Sequence, residues 1–164
     1  MSEEYTLKHP VAGKKKLKLK VLTWAALREA EKDGELKHVI LGKLIEACTD
    51  LSYEQVEELS GVDAMSLNRL ISNKLKPHRK DNLDQKIELQ EPLERESGEL
   101  LKEVKRGGLT FGDMVQAERL ESSQGVCVDD YEIACLFGIK LDEVGLLSVG
   151  DYMTLRYAKE DFLK

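Results

Sequence analysis

Apolar and polar positions alternate at the start of the chain. Tyr5-Thr6-Leu7-Lys8-His9-Pro10 predicts a short strand that the proline ends, and Val11 to Lys15, with Gly13, predicts a turn. Lys16-Leu17-Lys18-Leu19-Lys20-Val21 then alternates strictly, which places Leu17, Leu19 and Val21 on one face and three lysines on the other. Together they predict a β-hairpin with one buried face. The lysine row reads as the solvated side of an edge strand, where it also blocks edge-to-edge pairing.

The period then changes. Leu22-Thr23-Trp24 predicts a helix capped by Thr23, carrying Trp24 into the core and stopping near Asp33-Gly34. From Glu35 to Cys48 the apolar residues Leu36, Val39, Ile40, Leu44 and Ala47 fall on one helical face. Ser52-Tyr53-Glu54-Gln55 has the pattern of a capping box and opens a short helix with Val56 and Leu59 inward. Ser60-Gly61-Val62 predicts a tight turn. Asp63 is expected to cap a last helix bearing Leu67, Leu70 and Ile71. Residues 74–86 are polar, contain Pro77 and predict a linker.

After that linker the pattern restarts. Lys86 to Pro92 repeats the first strand, with leucine again three residues before proline, and Glu99 to Lys105 supplies the return strand. Leu109-Thr110-Phe111 repeats Leu22-Thr23-Trp24, and Asp113 completes an acidic capping box with Thr110. Ala134-Cys135 repeats Ala47-Cys48. Leu59, Ser60, Asp63, Met65 and Leu67 return as Leu147, Ser148, Asp151, Met153 and Leu155, the methionine and leucine expected to face inward. The final helix is expected to run from Asp151 with Leu155, Ala158 and Phe162 on one face. The extra residues of the second half fall in predicted turns, as a tandem duplication requires. The expectation is an α+β, mainly helical chain of two units. Residues 1–73 and 87–164 would each hold a short hairpin and three or four helices, joined by a linker at 74–86.

Composition narrows the class. The chain has 164 residues, 41% of them hydrophobic and 34% charged, which suits one ordinary folded domain or two small ones. No apolar run is long enough to span a bilayer, and the polar, acidic start Met1-Ser2-Glu3-Glu4-Tyr5 does not read as a secretory signal, so a cytosolic protein is expected. Residues 1–80 hold 15 Lys and Arg against 12 Asp and Glu; residues 81–164 hold 10 against 19. A mildly basic half beside a strongly acidic one argues against a chain-long nucleic-acid surface.

No constellation for catalysis, metal or cofactor emerges. Cys48, Cys127 and Cys135 lack zinc or redox spacing and read as reduced, buried thiols, and His9, His38 and His78 are far apart. There is no phosphate loop or nucleophile elbow. Asp63 and Asp151 read as caps rather than a carboxylate pair. Residues 51–80 contain the parts of a helix-turn-helix: a helix, the Ser60-Gly61-Val62 turn, a second helix with Asn68, Arg69 and Asn73, and a basic tail through Lys80. Against a DNA reader stand Asp63 at the head of the second helix and the acidic equivalent in the second unit, which ends Lys159-Glu160-Asp161.

Each half resembles the tail assembly chaperone family of Mu-like and P2-like contractile-tailed phages. The resemblance lies in the strand leading to proline (Thr6 to Pro10, Glu88 to Pro92) and the Leu-Thr-aromatic helix start. It continues in the C-terminal pattern, seen in the second unit as Leu136-Phe137-Gly138-Ile139 through Val144 and Leu147 to Asp151 and on to Asp161-Phe162-Leu163. Members of the family hold one such unit, whereas two are read here. The arginine expected at the strand-to-helix junction has no counterpart beside Thr23, although Arg106 lies close to Thr110. The resemblance implies a non-enzymatic, cofactor-free protein of the host cytoplasm that binds the apolar, helical tape-measure protein and keeps it soluble while the tail tube assembles. The tail tube protein and a second copy of the chain are further candidate partners. From the residues themselves, the candidate partner-binding faces are Leu36, Val39, Ile40 and Leu44, and Leu67, Leu70 and Ile71, with burial in the protein's own core as the competing role for each.

Overall fold

A computed structural model describes residues 3–32, 34–78 and 85–164. The fold is α+β, with eight helices and two small antiparallel hairpins among the described residues. The chain divides into two compact units, Met1–Lys76 and Pro77–Lys164. Residues 79–84 of the predicted linker lie outside the described residues; Lys74, its first residue, is the last of a helix, and Lys86, its last, is the first of a strand.

Unit 1 opens with β1 (Glu4–Val11) and β2 (Lys14–Lys18), paired antiparallel. Ala12 and Gly13 both take positive φ, as a two-residue turn between twisted strands demands. Leu7, Val11 and Leu17 are buried on one face, as the alternation predicts. Two expectations are corrected. β1 does not stop at Pro10 but runs through it, because the ladder is irregular between Thr6 and Val11 and proline there forfeits no ladder bond. β2 ends at Lys18, and Val21 is exposed while Leu22 is buried. The alternation breaks because the chain leaves β1: the Lys20 N–H donates to the carbonyl of Cys48 instead.

Four helices follow: α1 (Trp24–Glu31), α2 (Lys37–Cys48), α3 (Tyr53–Glu57) and α4 (Gly61–Lys74). Thr23 caps α1 and leaves Trp24 half-buried; Ser52 and Gln55 close both arms of the predicted capping box on α3. On α2 the buried stripe is Leu44, Ile45 and Cys48, turned from the predicted face: Leu36 is the N-cap and lies 79% exposed. The predicted turn at Ser60-Gly61-Val62 is instead the start of α4, with Ser60 as N-cap and Asp63 at the third helical position. Leu67 and Ile71 are buried as expected, but Met65 faces outward at 50% exposure.

Unit 2 repeats the order with β3 (Lys86–Glu94), β4 (Leu100–Lys105), α5 (Phe111–Gln124), α6 (Val128–Phe137), α7 (Leu141–Val144) and α8 (Val149–Phe162). Its hairpin loop is longer: Arg95 donates to Glu99 and Gly98 takes positive φ. β3 also runs through its proline, Pro92, within an irregularity between Glu88 and Leu93. Thr110 and Asp113 form the predicted capping box of α5. The last helix starts at Val149, capped by Ser148 rather than Asp151; Leu155 and Ala158 are fully buried, whereas Phe162 is 37% exposed. Of the thiols expected to be buried, Cys48 is, while Cys127 and Cys135 are half-buried. Burial pushes the Cys48 thiol up to about 11.

Candidate apolar groove and aspartate braces

The aspartates singled out by the repeat tie strand to helix. In unit 1 the irregular stretch of β1 frees the N–H groups of Lys8 and His9, and both donate to Asp63, to Oδ1 at 2.9 Å and Oδ2 at 3.1 Å. Ser60 Oγ donates to Oδ2 at 2.7 Å and the Tyr5 hydroxyl to Oδ1 at 3.0 Å. The carboxylate is fully buried. Burial alone would raise its pKa, but these four hydrogen bonds outweigh burial and hold it down at about 2. In unit 2 the N–H groups of Gln90 and Glu91 donate to Asp151 at 2.7 and 3.1 Å, and Ser148 Oγ donates at 2.7 Å. His78 takes the place held by Tyr5, with Nδ1 3.3 Å from Asp151 Oδ1 and 3.1 Å from Thr154 Oγ1. Each aspartate satisfies two strand N–H groups that the sheet leaves over, and each sits at the positive end of its helix. The chemistry of both is structural.

The helices beyond these braces differ. The fourth residue of α4 is Ala64; the fourth of α8 is Tyr152, 1% exposed, whose hydroxyl donates to Asp130 on α6 at 2.9 Å. Next to it the buried Lys159 donates to Glu132 at 2.7 Å and to Asp129, and Arg156 reaches Asp129 at 3.2 Å. Burial pulls the Lys159 ammonium down, but its two carboxylate partners more than compensate and leave its pKa above the usual lysine range. The bond from the Lys20 N–H to the Cys48 carbonyl recurs as that from the Gly107 N–H to the Leu136 carbonyl. In this register Glu132 and Lys159 stand where unit 1 has the buried apolar pair Leu44 and Ile71, and Asp130 stands where unit 1 has Gly42.

With alanine in place of tyrosine, unit 1 keeps a groove of about 410 Å³ between α2, α3 and α4. It is lined by His38, Val39, Leu41, Gly42, Ile45, Tyr53, Val56, Glu57, Leu59 and Ala64. Gly42 lets the Tyr53 ring lie against α2, since a Cβ there would come within 2.9 Å of the ring. The lining is apolar, with His38 on one wall and Glu57 on another. A shallower depression of about 600 Å³ lies between β1, Leu19 and α4, and Leu70 and Arg69 border it. In unit 2 a depression of about 500 Å³ is lined largely by charged groups, among them Arg95, Lys140 and Glu143.

The candidate partner-binding residues therefore separate. Val39 lines the groove and half-buried Ile40 is its helical neighbour, whereas Leu44, Leu67 and Ile71 are buried in the core of unit 1. Leu70 borders the shallower depression, and Leu36 is exposed outside both. Leu41, Tyr53, Leu59 and Ala64 were not among the sequence-based candidates. The signal for Ala64 was present in the repeat itself, as the position where alanine replaces tyrosine.

Among the described residues no group of three or more His, Cys, Asp and Glu side chains is placed to hold a metal ion. No helix among them is long and apolar enough to cross a membrane. Comparison with protein families, with curated proteins and with solved structures finds no match for the chain.

Proposed function

We propose that the chain is a tandem duplication of one hairpin-and-helix unit and that it acts as a phage tail assembly chaperone, holding apolar helical segments of the tape-measure protein in solution. The duplication is supported by the recurrence of a Ser–Asp brace on a strand irregularity that ends in proline, in the same order of elements. Smaller bonds recur too: Leu19 donates to the Glu3 carbonyl as Arg106 donates to that of Gln85. The observation that carries the chaperone reading is the apolar groove of unit 1, a helix-lined surface of the kind that receives one face of an amphipathic helix.

The helix-turn-helix reading of residues 51–80 has less support. A recognition helix presents its first turn to the base edges. The first turn of α4 is occupied by Asp63 and the backbone of β1, and Arg79 and Lys80 lie outside the described residues. Co-expression of the chain with a tape-measure protein, followed by pull-down and a salt-dependent DNA-binding assay, separates the two. The chaperone reading expects a soluble complex and only weak, sequence-indifferent DNA binding. Sequence-preferring DNA binding that falls steeply with salt, without tape-measure capture, would overturn it.

A further inference from the structure

We infer that the groove of unit 1 receives an amphipathic partner helix whose apolar stripe is flanked by lysine or arginine, and that unit 2 offers no equivalent site. The inference deepens the chaperone reading and rests on it for the identity of the natural partner.

Two features of unit 1 converge. The floor of the groove is apolar, formed by Val39, Leu41, Ile45, Leu59 and Ala64. Its wall is the short helix α3 with its C-cap, which places three exposed carboxylates, Glu54, Glu57 and Glu58, along one side. Glu57 itself lines the groove. An apolar helix flanked by acidic residues would meet like charge here. One flanked by basic residues would bury its stripe and pair its flanks with the wall. A second copy of the chain is a poorer fit: the lysine-rich β2 has the charge but presents no outward apolar stripe, its Leu17 being fully buried.

Unit 2 shows what the groove lacks. At the position of Ala64 it carries Tyr152, whose ring is buried and whose hydroxyl is bonded to Asp130. Unit 2 thus fills with its own side chain the space that unit 1 leaves to a guest. Ala64→Tyr should therefore close the groove from within.

The test uses the full chain and two fluorescein-labelled helical peptides of about 20 residues, with leucines at helical spacing and either lysines or glutamates on the flanks. Polarisation should show saturable binding of the lysine-flanked peptide, about tenfold tighter than that of the glutamate-flanked one. Ala64→Tyr should weaken it about tenfold. Glu57→Lys with Glu58→Lys should weaken it comparably while suiting the C-terminal end of α3, so that the variant folds; circular dichroism checks both variants. Equal affinity for the two peptides, or binding that Ala64→Tyr leaves unchanged, would overturn the assignment. So would a wild-type dimer that Ala64→Tyr converts to monomer without peptide binding, which would make a second copy the occupant. A tape-measure protein that binds the wild-type chain and the Ala64→Tyr variant alike would overturn the groove and leave the chaperone reading standing. The expected peptide pattern without any tape-measure binding would do the reverse.

Discussion

Unit 1 and unit 2 solve the same packing problem with different chemistry. Both bind an irregular strand to the head of their last helix through a buried aspartate and its serine. Past that point unit 1 packs α2 and α4 with Leu44 and Ile71 and leaves a groove over Ala64. Unit 2 packs α6 and α8 with Tyr152, Glu132 and Lys159, the tyrosine standing where unit 1 has Ala64. The difference separates what the fold requires, which is the brace, from what a unit can vary, which is the surface between the helices. Variation at that surface is where a binding function can be gained or given up without loss of the fold.

Removing the braces should have the largest effect. Asp63→Ala and Asp151→Ala each leave two strand N–H groups and a serine hydroxyl without their acceptor, at a cost of about 4 kcal/mol. Trp24, the only tryptophan, lies in unit 1, so its fluorescence should report early unfolding for Asp63→Ala, while hydrogen exchange in α8 should report it for Asp151→Ala. A large loss in one unit beside a silent change in the other would break the claim that the two braces are equivalent.

The ion pair of unit 2 comes next. Lys159→Ile leaves Glu132 buried without its cation and should cost about 3 kcal/mol. Adding Glu132→Leu recreates the Leu44–Ile71 pair of unit 1 and should recover most of that loss. Thermal unfolding of the single and double variants measures the coupling directly. If the double variant is no more stable than Lys159→Ile, the two helix interfaces are less alike than their alignment implies.

Acid sharpens the comparison more gently. Asp63 has a folded pKa of about 2, below the ordinary 3.8, so the unfolded chain binds more protons between those values and stability rises with pH there. The stabilisation from Asp63 is complete above the unfolded pKa and is lost as pH falls through the folded one. Unit 1, followed by Trp24, should weaken between about pH 5 and pH 2, and Asp63→Asn should flatten that slope. The thiols give the smallest effect. Cys48 is buried with its pKa raised to about 11, whereas Cys135 of unit 2 is half-buried, so a thiol reagent should modify Cys48 more slowly in the native protein. Mass spectrometry of the labelled peptides gives the order.

Much of this architecture was legible in the residues. The hairpins, the caps at Thr23, Ser52 and Thr110, and the restart of the pattern after the linker follow from alternation, helical spacing and cap chemistry. Three kinds of feature were not. The role of Asp63 depends on β1, 54 and 55 residues away in sequence, and local pattern identifies only its place near a helix start. The face of α2 turned because Leu36, which fits the helical spacing, sits at the N-cap outside the helix, and the core took Ile45 instead. Met65 shares the motif with Leu67 but not its direction, as two residues on a helix point about 200° apart. The groove was half legible: Val39 stands on the apolar face that helical spacing predicts, while Ala64 matters through the side chain it lacks.

Methyl NMR of the full chain during titration with a tape-measure segment distinguishes the two units most directly. The expected result is that the signals of Val39, Leu41, Ile45, Leu59 and Ala64 shift together and saturate, while those of Ile133, Leu147 and Leu155 in unit 2 stay in place. Shifts confined to unit 2, or spread equally over both units, would contradict the assignment of an open groove to unit 1 and a self-filled interface to unit 2.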